Sequence, residues 1–192
     1  MFEQNIVLFL ILVLPFLGAL VIKSFSQKIA VRTGFGILLL QMFLCSYLLK
    51  IVFTQKYVSF RIYDVLFTCD LFSMVFLLTS VLTGIFIYLF SMGYFGNETP
   101  AQQGTFAFWG LVFVGSMMGV VLSDNLVSLY MFWELAGLCS WKLIGFYRKD
   151  DHLLKADKAF LLTSAGAGFM FLSFAYIYTF TGTLSLSHMH HS

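Results

Sequence analysis

Six apolar stretches, each about 18–25 residues long, fill most of this chain, and that pattern decides its solvent. They run at about Asn5–Ile22, Thr33–Phe53, Leu71–Phe95, Thr105–Leu122, Leu126–Tyr147 and Lys158–Thr181. A helix of about 20 apolar residues spans the hydrocarbon of a bilayer. A water-facing domain carries about a quarter charged residues, whereas here only 10% are charged and mean hydropathy is +0.91. Nothing in the sequence alternates in the manner of a membrane barrel, so helices are the remaining spanning structure. The expected fold is all-α, a polytopic transmembrane bundle of about six spans forming a single domain over residues 1–192. The first apolar run follows Glu3 and is too long for the core of a cleaved signal peptide.

The polar breaks are short. Gly96–Gly104 separates the third and fourth stretches, Ser123–Asn125 the fourth and fifth, and Arg148–Asp157 the fifth and sixth. Asp124 or Asn125 suits an N-cap for the fifth helix. Pro15 falls inside the first helix, which is tolerated where a neighbour satisfies the freed carbonyl. Lysine and arginine collect on the cytoplasmic side of membrane proteins. The first, third and fifth loops hold Lys23, Lys28, Arg32, Arg148, Lys149 and Lys155, with Lys158 at the edge, while the opposite side holds Lys50, Lys56 and Arg61. The Arg148 loop is therefore expected in the cytoplasm or matrix, with the N-terminus opposite.

Small residues spaced for close helix approach occur at Gly115-Ser-Met-Met-Gly119 and at Ser164-Ala-Gly-Ala-Gly168, and both are expected to serve packing within the bundle. The three cysteines, Cys45, Cys69 and Cys139, form no CxxC pair and are expected as small buried residues. His152 lies in a loop, and His188, His190 and His191 in the tail, so no histidine within a span can ligate haem, and no metal site is expected. There is no phosphate-binding glycine loop and no dinucleotide fingerprint. No cofactor is expected in this chain.

Chemistry concentrates on a few charged residues. Glu134 lies about ten residues into the fifth helix, near mid-membrane at about 1.5 Å per residue. A carboxylate at that depth costs at least a few kcal/mol unless paired, protonated or hydrated, and intramembrane acids mark proton and ion pathways by default. Desolvation favours its neutral form and a nearby cation its charged form, the balance a proton relay needs. The alternative is a protonated structural carboxyl bonded to a neighbouring helix. Lys142 sits about 12 Å further along the axis and turned by about 80°, so it is no direct partner of Glu134. It either snorkels to the basic interface or joins a relay. Asp70 suits an N-cap for the third helix. Lys158 opens the sixth helix, where the dipole disfavours a cation; it either sets topology or marks the inner mouth of a proton path.

Residues 124–147, Asp-Asn-Leu-Val-Ser-Leu-Tyr-Met-Phe-Trp-Glu-Leu-Ala-Gly-Leu-Cys-Ser-Trp-Lys-Leu-Ile-Gly-Phe-Tyr, resemble the antiporter-like subunits of respiratory complex I, NADH dehydrogenase subunit 5 above all. Asp70-Leu-Phe-Ser73, Phe90–Phe95, Lys158-Ala-Phe160 and Thr181–Leu184 extend the likeness to residues 70–186. The resemblance implies a proton-translocating membrane subunit in which Glu134 communicates with a lysine on a seventh helix, and in which Lys158 is the basic residue opening the sixth. Trp141-Lys142, Ser164, Ala167 and Tyr88 depart from the family pattern. The chain corresponds to the first part of a longer antiporter-like fold, so another polypeptide is expected to supply the later helices. The first expectation is a split proton-translocating subunit of NADH:ubiquinone oxidoreductase, with electron transfer in other subunits. The rivals are a subunit of a multisubunit Na+/H+ antiporter or membrane-bound hydrogenase, and a non-conducting structural subunit. Expected partners are other membrane-arm subunits and the lipid bilayer. The expected location is the mitochondrial inner membrane, with a prokaryotic cytoplasmic membrane as the alternative.

Overall fold

The computed structural model describes residues 2–25, 29–62, 65–95, 98–147 and 150–189. Six long helices follow one another: α1 (Phe2–Phe25), α2 (Ala30–Gln55), α3 (Leu71–Tyr94), α4 (Pro100–Leu122), α5 (Leu126–Ile144) and α6 (Asp150–Thr181). A hairpin of β1 (Tyr57–Ile62) and β2 (Val65–Asp70) joins α2 to α3, and a single turn, α7 (Leu186–Met189), follows α6. Five of the long helices are long and apolar enough to cross a membrane. The one left out, α5, has 19 residues and carries Glu134 and Lys142. It packs between α4 and α6 and is about 28 Å long, a membrane's hydrocarbon thickness.

In lipid, helices gain little from hydrophobic transfer; close packing and interhelical hydrogen bonds hold them together. α4 is the hub and touches α1, α2, α3 and α5. Its two spaced glycines serve different neighbours. A Cβ on Gly115 would meet Pro15 and Phe16 of α1, and one on Gly119 would enter the ring of Phe132 on α5. The packing expectation for this motif holds, divided between two partners. Ser164 and Gly168 differ: a Cβ on Gly168 would meet nothing within 4 Å, and α6 is largely exposed along its length.

Tyr88 of α3 fills a slot between Gly34 of α2 and Gly110 of α4, and its hydroxyl donates to the Ala107 carbonyl. The proline of α1 is accommodated directly. Pro15 has no N–H for the carbonyl of Ile11, and the Gln41 Nε2 of α2 donates to that oxygen at 2.7 Å.

Helix ends follow local rules, several beyond those read from the sequence. Asp70 caps α3, accepting from the Ser73 N–H at 2.7 Å. Asn125, not Asp124, caps α5 through the Val127 N–H. The fourth helix begins at Pro100 rather than Thr105, because Thr99 and Gln102 form a capping box ahead of a proline at the first helical position. The sixth helix begins at Asp150 rather than Lys158, which places Lys158 in its third turn and not at its mouth. The fifth ends at Ile144, three residues short of Tyr147.

The hairpin is the main element absent from the sequence expectation. Val58, Phe60 and Ile62 alternate with Ser59 and Arg61, and pair with β2 from Tyr57↔Asp70 to Ile62↔Val65. The α4–α5 turn docks on it: the Asp124 N–H donates to the Leu66 carbonyl at 3.1 Å. The segment after α6 docks there too, through the Leu126 N–H to the Leu184 carbonyl and the Leu186 N–H to the Asp124 carbonyl. Hairpin, α4–α5 turn and C-terminal turn thus share one end of the bundle, opposite the basic loops.

Two predictions arise here. The Ser73 N–H holds the Asp70 carboxyl below the usual carboxylate range. Asp70→Ala is expected to cost about 1 kcal/mol. A depressed folded value means that this contribution is present above the unfolded value and lost as pH falls through the folded one. Unfolding of wild type and variant in detergent across the acid range reads both effects. All three cysteines are free and buried, as expected. Burial, with the Asp70 charge adding to it, pushes the Cys69 thiol up to about 12. Thiolate is the reactive form, so iodoacetamide at pH 8 should leave Cys69 unlabelled until the chain is unfolded.

Candidate functional site

Glu134 is the ninth of the 19 residues of α5, about 12 Å from the helix start, which sets it at mid-membrane depth. Its helix face follows from the contacts on either side. Tyr130, Gly137 and Trp141 stand at positions −4, +3 and +7 relative to Glu134, one stripe of an α-helix. All three meet α6. The Tyr130 ring lies 5.3 Å from Phe171 between centroids, and the Trp141 ring 5.6 Å from Phe160. A Cβ on Gly137 would touch Thr163 at 3.9 Å. Glu134 therefore sits on the α5–α6 seam, half-buried, at the level where buried Ala167 marks the facing side of α6.

The Tyr130 hydroxyl, one turn before Glu134, hydrogen-bonds with its carboxylate. Towards the hairpin, an apolar cavity of about 220 Å³ follows, lined by Leu126, Tyr130, Phe171 and Tyr178 among others. Towards the basic loops, the seam closes on a polar contact: Trp141 Nε1 donates to Asp157 Oδ1 at 2.9 Å.

The other two residues read as chemical from the sequence do not converge on Glu134. Lys142 occupies the last turn of α5, where a cation complements the helix dipole. Its Nζ lies 4.0 Å above the Trp141 ring centroid, beside a cavity of about 410 Å³ that Thr105 and Trp109 also line. That placement matches the snorkelling reading. Lys158 is exposed, about 160° around α6 from the residues that meet α5. It points away from this bundle. Among the described residues Glu134 thus has a hydroxyl partner and no cation beside it on α4, α5 or the facing stretch of α6.

Sequence reasoning missed Tyr130, although its spacing four residues before Glu134 was legible. It also missed Asp124 as an anchor. That buried carboxylate accepts from Ser185 Oγ at 2.7 Å, Ser187 Oγ at 2.8 Å and Ser187 N–H at 3.1 Å, fastening the segment after α6 to the start of α5. These partners are 61 and 63 residues away, and no local pattern signals them. His188 is placed only as backbone, and His190 and His191 lie outside the described residues. Among the described residues no group of three or more His, Cys, Asp or Glu is placed to hold a metal.

The family described as the NADH:quinone oxidoreductase/Mrp antiporter transmembrane region matches residues 123–192, a span that includes Glu134, Lys142 and Lys158. Subunit A1 of a Na(+)/H(+) antiporter from Staphylococcus haemolyticus (strain JCSC1435) is 42% identical over 93 residues, which are 47% of this chain and 11% of that protein. The corresponding subunit from Staphylococcus aureus (strain JH9) is 40% identical over 84 residues, 43% of this chain and 10% of that protein. The matched stretch thus covers about a tenth of the length of these relatives. In fold, a chain of the membrane-bound sulfane sulfur reductase, an archaeal respiratory membrane complex, superimposes with a TM-score of 0.86 over 95% of this chain and 39% of its own, at 20% identity. These relatives are bacterial and archaeal, so the mitochondrial expectation finds no support among them. By sequence over residues 123–192 and by fold over nearly its whole length, the chain belongs with the antiporter-like, proton-translocating membrane subunits of the NADH:quinone oxidoreductase/Mrp antiporter family.

Proposed function

We propose that this chain is a proton-translocating subunit of a multisubunit membrane complex, and that Glu134 is its relay. The observation that carries this reading is a carboxylate at mid-membrane on a helix seam, where an ionisable group is costly and functional by default. Glu134 gains and loses a proton as the charge on a cation outside this chain changes. Lys158, turned outward, is placed to meet what packs on the outer face of α6. Lys142 acts at the basic interface.

The first reading of the assembly is a respiratory NADH:ubiquinone oxidoreductase, in which redox chemistry belongs to other subunits. The fold shared with a respiratory membrane complex supports a redox-linked assembly. The second reading is a multisubunit Na+/H+ antiporter, favoured by the identity of 40–42% to antiporter subunits. Both place the chain beside other membrane subunits, one of which supplies helices beyond the sixth.

Purification in mild detergent, followed by mass spectrometry of everything that accompanies the chain, tests the proposal. Flavin and iron–sulfur subunits support the respiratory assembly. Small membrane subunits without redox partners support the antiporter. A chain that purifies alone from native membranes, with no other membrane subunit, contradicts both.

A further inference from the structure

We propose that Tyr130 is a positioning residue for Glu134, with its hydroxyl holding the carboxylate on the α5–α6 seam and its ring tying that hold to α6. This inference rests on the relay reading of Glu134 and adds to it what fixes the relay in place.

Three observations meet at Tyr130. Its hydroxyl bonds with the Glu134 carboxylate across one helical turn. Its ring packs on Phe171 of α6 at 5.3 Å between centroids, with the planes tilted by 50°. The same ring forms the inner wall of the apolar cavity at the hairpin end of the seam, together with Phe171, Phe174 and Tyr178. A free glutamate in a half-buried seam has several rotamers, some reaching along the helix towards the basic end and some towards the cavity. A donor four residues earlier selects one of them. Because the donor's ring is held by α6, a displacement of α6 against α5 moves the hydroxyl and with it the carboxylate.

No other titratable group competes at this level. α4 carries no charged residue, and α5 carries only Glu134 and Lys142. On α6, Thr163, Ala167 and Phe171 face the seam, while its charged residues, Asp150, Asp151, Lys155, Asp157 and Lys158, with His152, lie in its first turns. Tyr178 is the remaining ionisable side chain near Tyr130, across the cavity.

A tyrosine here also has a structural reading, in which only the ring matters. Tyr130→Phe separates the two, because it keeps the ring on Phe171 and removes the hydroxyl. The test uses the assembled complex in membrane vesicles and reads proton translocation as a function of pH, with Glu134→Gln as the reference. A donor to a carboxylate favours its charged form, so losing it favours the protonated form. Tyr130→Phe is expected to displace the pH profile to higher pH and to lower the maximal rate roughly 2- to 10-fold, at unchanged complex abundance. Phe171→Ala, which frees the ring and keeps the hydroxyl, is expected to lower the rate in the same sense. If Glu134→Gln abolishes translocation while Tyr130→Phe keeps both profile and rate of wild type, the positioning role is overturned and the relay stands. If Glu134→Gln itself leaves translocation intact, the relay reading fails, and the positioning role with it.

Discussion

Exchanging Gln41 for leucine is expected to destabilise the bundle by about 1–3 kcal/mol, and adding Pro15→Ala is expected to recover most of that loss. Gln41 is completely buried, and its Nε2 donates to the Ile11 carbonyl at 2.7 Å and to the Met118 sulfur at 3.3 Å. The Ile11 carbonyl needs this donor because residue 15 is proline. Water cannot replace the amide in the dry centre of a helix bundle. Leucine matches glutamine in size closely enough that the cost is chiefly the orphaned carbonyl, which a valine or alanine variant would confuse with a cavity. Gln41 Oε1 has no partner of its own, which reduces the net worth of the side chain and keeps the expected loss moderate. Alanine at position 15 restores an N–H four residues after Ile11, so the carbonyl regains a partner within its own helix. Thermal unfolding of wild type, both single variants and the double variant in detergent gives the cycle. A coupling near zero would mean that Gln41 does not serve the proline.

Gly34→Ala is expected to be the most damaging single methyl group in the bundle, at about 1–3 kcal/mol, whereas Gly36→Ala, two residues on, should be neutral or slightly stabilising. A Cβ on Gly34 would enter the Tyr88 ring, and that ring cannot retreat. Gly110 closes its other side, and its hydroxyl is held by the Ala107 carbonyl. Around Gly36 there is nothing within 4 Å. Both glycines lie in the same helix, so intrinsic helix propensity is the same in the two comparisons and only the slot differs. Equal unfolding temperatures for the two variants would show that Tyr88 is not wedged between α2 and α4.

The membrane class and the six long helices were legible because lipid demands one feature above all, an unbroken apolar length, and the sequence shows it six times. Glu134 was legible for the complementary reason: an acid stands out in such a stretch. What escaped was polar structure at the ends. The capping box of Thr99 and Gln102 sits in a break rich in glycine and glutamine, which obscured a helix start with a clear local signal. The hairpin alternates over only six residues a strand, too short to weigh against the spans beside it. Lys158 was placed at a helix mouth because charge was taken to end the helix. In fact Asp150–Asp157 continues it beyond the apolar part, with Ala156 buried and Asp157 bound to Trp141. The partners of Asp124 and the face of Glu134 depend on how α6 returns along α5, which only the tertiary structure gives.

The most direct test of the central claim is proton translocation by the assembled complex in membrane vesicles, compared between wild type and Glu134→Gln. Glutamine keeps the size of the side chain and a hydrogen-bonding oxygen for Tyr130, but it cannot carry a proton between sites. The account predicts a complex of normal abundance whose translocation falls by about a hundredfold or more. A Glu134→Gln complex that translocates protons at the wild-type rate would contradict it, and would leave Glu134 as a structural carboxyl on the α5–α6 seam.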